Sequence, residues 1–209
     1  MAFLTARVFE IEPIHAAGLN WLPLRHLLGV QAFGVNAYVG NEIGDDVIEQ
    51  HTEEELGHQE MYVVLAGRAL FTLDGESLDA PTGTVVFLPD PATQRYAVAE
   101  EAGTTVLAVG AKPGEGYQVS AWEWRFRAQP HFEARDWDKA EEMIRESLEA
   151  HPGNAARLYD LACIEAQTGR HSEAVEHLRK AIAARPAVRD WAAEDHDLDL
   201  LRGRPDFPA

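Results

Sequence analysis

The hydrophobic pattern of this chain changes period once, and that change divides it. Between about residues 31 and 111, apolar residues fall in short runs rich in Val, Phe, Tyr, Thr and Leu: 32–39, 60–65, 69–73, 84–88, 96–99 and 104–109. Turn-forming residues separate the runs, among them Ala66-Gly67, Asp74-Gly75, Pro81-Thr82-Gly83, Pro89-Asp90-Pro91 and Ala102-Gly103. Short strands at this regular spacing predict a closed antiparallel sandwich or barrel. Beyond Trp124 the spacing becomes helical: Ala140, Ile144 and Leu148 share one face, as do Ala174, Leu178 and Ala181. Two Gly and two Trp interrupt both periods over 114–129, with Pro113 and Pro130 on either side. The expectation is a mainly β domain over 1–120, its β fold spanning about 28–112, and an all-α domain over 121–209, with regular helices from about Pro130 onward.

The helical part repeats itself. A shift of 34 residues places Ala128 on Ala162, Ala140 on Ala174, Ile144 on Leu178 and Pro152 on Pro186. Small residues let antiparallel helices approach closely, Gly169 opens the turn between two of them, and Pro186 ends the second. This Ala-x3-large-apolar…Pro pattern resembles the tetratricopeptide repeat (TPR). The match is full over 155–188 and partial over 121–154, where Arg127 occupies an apolar position and Pro130 is expected to shorten the first helix. Leu198, Leu201 and Phe207 are expected to cap the last repeat. Two repeats make a short array, so packing or dimerisation competes with capture of a protein partner as their role.

Composition removes whole classes of function. With 18 basic against 35 acidic residues the net charge is −17, which repels phosphate backbones and anionic lipid, so neither nucleic acid nor a membrane surface is an expected partner. No apolar run is long enough to span a bilayer, and the N-terminus lacks the basic and apolar regions of a secretion signal. The single cysteine, Cys163, permits no intramolecular disulfide, which fits a cytoplasmic location. It is expected in a helical core.

Two spaced motifs in the β part carry a second resemblance. Glu60 is followed by six residues and Gly67; Gly75 is followed by five residues and Pro81-Thr82-Gly83. These look like the halves of the cupin signature, G-x5-H-x-H-x3-4-E-x6-G and G-x5-P-x-G-x2-H-x3-N. Over about 30–112 the chain is therefore similar to cupins, and as a whole to bacterial proteins joining one cupin domain to a short TPR tail. The resemblance implies a jelly roll, with a metal near its mouth held by three histidines and a glutamate.

The implied ligand set is only partly present. Glu60 takes the glutamate position, but the residues four and five before it are Leu56 and Glu55. The nearest substitutes are the H-x-E of His51 and Glu53, on one strand face by alternation, and His58, paired with Glu60 in the same way. Gln94 is read at the place of the third histidine. Three readings stay open. The metal is lost and Glu60 is a structural or ligand-binding acid; or His51, Glu53, His58 and Glu60 form a shifted set for a divalent transition metal; or the histidines sit on a solvated acidic connection running from Glu42 to Glu55. Arg95 beside the pocket would favour an anionic ligand such as a carboxylate, unless it is a surface residue paired with Glu100 or Glu101. Tyr38 is a further candidate for the pocket wall.

These residues support a small-molecule-binding cupin, with the ligand in a pocket of Glu60, Gln94, Arg95 and Tyr38, no firmly expected cofactor, and a helical part serving packing, dimerisation or protein contacts. A homodimer is expected because pairing removes exposed sheet edges. The alternative is a metal-dependent cupin enzyme, an oxygenase or isomerase acting on a small organic acid.

Overall fold

The computed structural model describes residues 4–208. The chain divides into two compact units, Met1–Val119 and Ser120–Ala209.

The first unit is built on ten strands: β1 (Ile14–Ala16), β2 (Leu19–Leu22), β3 (Gly34–Gly40), β4 (Asp46–His51), β5 (Gln59–Ala66), β6 (Arg68–Leu73), β7 (Glu76–Pro81), β8 (Val85–Leu88), β9 (Arg95–Ala99) and β10 (Thr104–Ala111). A short helix, α1 (Leu24–Leu28), separates β2 from β3. The strands form a six-stranded sheet in the order β1-β2-β3-β10-β5-β8 and a four-stranded sheet in the order β4-β9-β6-β7. The neighbours pair antiparallel throughout.

Alternation assigns the faces. Tyr62 and Val64 of β5, Val86 and Leu88 of β8, and Val106 of β10 pack into one core with Val47 and Ile48 of β4, Ala69 and Phe71 of β6, and Ala97 and Ala99 of β9. Both sheets thus bury one face in a common core. On the opposite face of the six-stranded sheet, Leu22, Ala37 and Leu107 are packed with Val8, Ile11 and Leu24. Gly67, six residues beyond Glu60, is held at φ +69°, and a Cβ there would meet Thr104 Oγ1 at 2.5 Å. The E-x6-G spacing therefore records a real constraint: the β5–β6 turn needs both a left-handed backbone and the absence of a side chain.

The second unit is helical: α2 (Ala121–Glu133), α3 (Trp137–Ala150), α4 (Ala155–Gln167), α5 (His171–Ala184), α6 (Val188–Glu194) and α7 (Asp199–Arg202). The 34-residue shift carries α2 onto α4 and α3 onto α5 at both ends. Ala128, Ala162, Ala140, Ala174, Ile144 and Leu178 are all fully buried. Large side chains close each interface. Leu161 and Ile164 join the first cluster with Phe132 and Met143 at its margin. Tyr159, Cys163, Val175 and Ile182 join the second. Leu198 and Leu201 are buried in that second cluster with Phe207 against it, so the tail covers the last helical pair.

Two expectations need correction here. Helix begins at Ala121, nine residues before Pro130, and Pro130 lies inside α2 without shortening it. Pro130 has no N–H to offer the Phe126 carbonyl, but it lies in the last turn of α2, and the helix still closes beyond it with the Ala134 N–H donating to the Pro130 carbonyl.

Candidate functional site

The site grows from where three segments end. β4 terminates at His51, whose register partner on β9 is Arg95. The chain then turns through 52–58, anchored by the Glu53 N–H on the Pro91 carbonyl, before β5 brings in Glu60 as its second residue. Glu60 lies opposite Gly110 of β10, where an added Cβ would meet Glu60 Cγ at 3.1 Å. A glycine there leaves the carboxylate room to lie across its neighbouring strand.

His51 Nδ1 lies 2.8 Å from the carbonyl of Glu49. A carbonyl can only accept, so Nδ1 carries a proton, and Nε2 is the ring atom left for other partners, ligating a metal when the ring is neutral. Nε2 faces two carboxylates, 3.7 Å from Glu53 Oε1 and 3.7 Å from Glu60 Oε2. One ligand atom from each of His51, Glu53 and Glu60 falls within 4.8 Å of the others. That is a set of donors converging on one point, with an imidazole whose outer nitrogen is already held, as metal-ligating histidines usually are. The residues fit a divalent transition metal of mixed N/O preference.

His58 stands one step behind. Its Nδ1 is 3.1 Å from Glu53 Oε2, and its ring lies 5.8 Å from that of Tyr117. It joins the group through Glu53 and lies outside the converging triad. Glu60 Oε2 also accepts a hydrogen bond from the hydroxyl of Tyr62, two residues on and on the same face. Arg95 Nη1 approaches the same oxygen at 3.7 Å.

The charges respond to this packing. Burial pushes the Glu60 carboxyl up, but the neighbouring His51, the hydrogen bond from Tyr62 and the charge of Arg95 outweigh it and hold the group below its ordinary value. For His51, burial favours the neutral ring, yet the adjacent Glu60 carboxylate, the hydrogen bond to the Glu49 carbonyl and the charge of Glu53 raise it above the usual imidazole range. Tyr62 is driven well above the ordinary phenol value by burial and by the adjacent Glu60.

The remaining pocket residues fall differently. Tyr38 is half-buried against the inter-sheet core. Gln94 is a correction: it is exposed, its backbone N–H donating to Asp74 Oδ1, while Arg95 takes the inward position. A displacement of one residue at a strand entrance exchanges the two faces. Counting G-x5-P-x-G-x2 from Gly75 leads instead to Val86, buried on β8 opposite Tyr62, so an apolar side chain stands where the cupin pattern has its third histidine. Arg95 is neither at the surface nor paired with Glu100 or Glu101. Its side chain has no exposure, and Nε, Nη1 and Nη2 have no hydrogen-bond partner. It is Arg68 that approaches Glu101. Tyr62, Tyr117 and the buried Asn36 were not singled out from the sequence. Alternation from Glu60 reaches Tyr62, and alternation from Tyr38 reaches Asn36; nothing local marks Tyr117.

Residues 131–193 match the family model of the tetratricopeptide repeat. No curated protein matches the chain. Among solved structures, the chain is similar to a cupin protein from Bacteroides fragilis, at 20% identity over 56% of this chain and 92% of that one, with a TM-score of 0.43. A sugar phosphate isomerase of a cupin superfamily from Silicibacter pomeroyi is similar at 21% identity over 52% and 76%, with a TM-score of 0.44. An RmlC-like cupin from Shewanella frigidimarina is similar at 15% identity over 55% and 94%, with a TM-score of 0.40. The C-terminal helical unit thus contains the stretch, residues 131–193, that matches the tetratricopeptide-repeat model.

Proposed function

We propose that the β unit is a jelly roll of cupin type that holds a divalent transition metal on His51, Glu53 and Glu60, and that the protein is a metal-dependent enzyme, an oxygenase or isomerase, acting on a small organic acid. The observation that carries this reading is the convergence of the three donors, with the His51 ring held by the Glu49 carbonyl so that Nε2 faces the two carboxylates. A bound metal would supply Lewis-acid polarisation of a substrate oxygen. The chain's own residues do the positioning: Tyr62 holds one Glu60 oxygen, and His58 faces the Glu53 oxygen that the triad leaves over. Three protein donors leave coordination positions for substrate, and the side chains of His51 and Glu60 are 25% and 14% exposed, so the site is reachable from solvent. The helical unit, on this reading, serves packing or protein contacts.

The test is elemental analysis of protein purified without a histidine tag. About one transition ion per chain, lost in His51→Ala, is expected. A metal-free protein that also fails to take up added Zn2+ or Mn2+ would overturn the reading. A second reading, a non-catalytic small-molecule-binding cupin, is favoured by Val86, which leaves the set with one imidazole in the triad.

A further inference from the structure

Arg95 is the least expected residue in this site. Its guanidinium is wholly buried, it lies 3.7 Å from a carboxylate oxygen of the candidate metal set, and none of its three nitrogens has a hydrogen-bond partner. Burying five N–H donors without hydrogen bonds, and a charge with a carboxylate no nearer than 3.7 Å, is costly. It cannot grip a ligand directly, because no solvent-sized space touches it. What reaches the site from Arg95 is its field, transmitted through low-dielectric surroundings to Glu60 and whatever Glu60 binds.

We infer that Arg95 fixes the charge of the site so that the metal-loaded pocket selects a monoanionic ligand, a small carboxylate that coordinates the metal itself. This rests on the metal reading above. Glu53 and Glu60 bring two negative charges, and Arg95 cancels one of them. A divalent ion then turns the remaining single negative charge into a single positive one, which one carboxylate neutralises. Without Arg95 the two carboxylates would exactly balance the ion, and an incoming anion would gain nothing from the net charge. Arg95 is thus a specificity-determining residue that never touches the substrate. Its presence also makes the site a weaker trap for the metal than two carboxylates and an imidazole would otherwise be.

The experiment is calorimetric titration of the full chain, first with Zn2+ alone and then, on the Zn2+-loaded protein, with glycolate and its neutral counterpart glycolamide. The wild type is expected to bind glycolate at least about tenfold more tightly than glycolamide. Arg95→Met should bind Zn2+ at least about tenfold more tightly and lose the preference for glycolate, while Arg95→Lys should restore it. Arg95→Gln, scored in the same way, covers the case in which Arg95→Met does not fold. Zn2+ uptake with a glycolate preference that Arg95→Met or Arg95→Gln leaves intact would overturn the inference and leave the metal reading standing. Weaker Zn2+ binding in those variants would also overturn it, making Arg95 a support for Glu60 instead. Failure of the wild type to take up Zn2+ would remove the metal reading and this inference together.

Discussion

Arg95 Nη1 lies 3.7 Å from Glu60 Oε2, across a pair in which the arginine side chain has no exposure and the glutamate side chain keeps 14%. The two partners are therefore not equivalent. Glu60 has the Tyr62 hydroxyl and His51 beside it, whereas Arg95 has no hydrogen bond from any of its nitrogens. Removing Glu60 strands a buried cation; removing Arg95 leaves a carboxylate that is still solvated in part. Glu60→Gln is expected to cost about 3–5 kcal/mol and Arg95→Met no more than about 1 kcal/mol. Urea denaturation in the presence of a chelator measures both, and the reverse order would show that Arg95 has partners the geometry does not reveal.

The affinity of the site for metal should depend on pH through His51. Burial would lower its pKa, but the neighbouring Glu60, the Glu49 carbonyl and Glu53 raise it above 6.5. The ring must be neutral to ligate. At pH values below this raised value a proton occupies the Nε2 position, and the apparent Zn2+ affinity should fall by about tenfold per pH unit. Above it the affinity should level off. Titrations near pH 6.5 in buffers of different ionisation enthalpy should show close to one proton released per ion bound. A pH-independent affinity would mean that His51 is not a ligand.

In the helical unit, Glu141 of α3 accepts hydrogen bonds from Arg170, just before α5, and from Arg145 at 2.7 Å. The Arg170 bond, working against burial and assisted by Arg145, holds the Glu141 carboxyl below its ordinary 4.5. A depressed folded-state value means that the stabilisation is fully present above the unfolded pKa and is lost as the pH falls through the folded one. Thermal unfolding between pH 6 and pH 3 should therefore show a loss in the acid range from this pair, which solvent screening holds to about 0.2–1 kcal/mol. Arg170→Met should reduce stability at pH 6 and flatten that part of the profile. Equal destabilisation of the variant at pH 3 and pH 6 would count against the assignment.

Where the sequence was legible, and where it was not, follows from how each residue advertises its surroundings. The repeat was plain because Ala128, Ala140, Ala162 and Ala174 are small for a reason that recurs every 34 residues: each lies at a helix contact with no exposed surface. β7 gave no signal because only Ala80 of its six residues is buried, so no alternation is printed on it. β4 was hidden in an acidic run, where Val47 and Ile48 are both buried across a register irregularity. In the site, Glu60 could be placed from its fixed distance to Gly67, and His51 and Glu53 from their spacing of two. The inward position of Arg95 in place of Gln94 is not legible, because the loop through Pro89 and Pro91 carries no period from which to count into β9, and a single step there decides which side chain enters the core. That Glu53 meets His51 and Glu60 depends on the turn at 52–58, which is set by tertiary contacts such as the Glu53 N–H on Pro91.

The two copies of the helical repeat share a left-handed turn position but fill it with different residues. Gly169, in the turn between α4 and α5, has φ +79° and open space around its missing Cβ. The equivalent residue 34 positions earlier is Arg135, between α2 and α3, at φ +55°. Both turns need a left-handed residue, but only one uses the residue that adopts that conformation without steric cost. An L side chain in this region costs about 1–2 kcal/mol, part of which glycine returns through its greater freedom in the unfolded chain. Arg135→Gly is accordingly expected to stabilise the protein by up to about 1 kcal/mol, and Gly169→Ala to destabilise it by about the same amount. Because nothing crowds the Gly169 Cβ position, the second effect would be purely conformational, with no clash to relieve. Chemical denaturation of the two variants, compared at equal m-values, checks both signs. A loss of stability in Arg135→Gly would mean that the Arg135 side chain contributes more than its backbone costs.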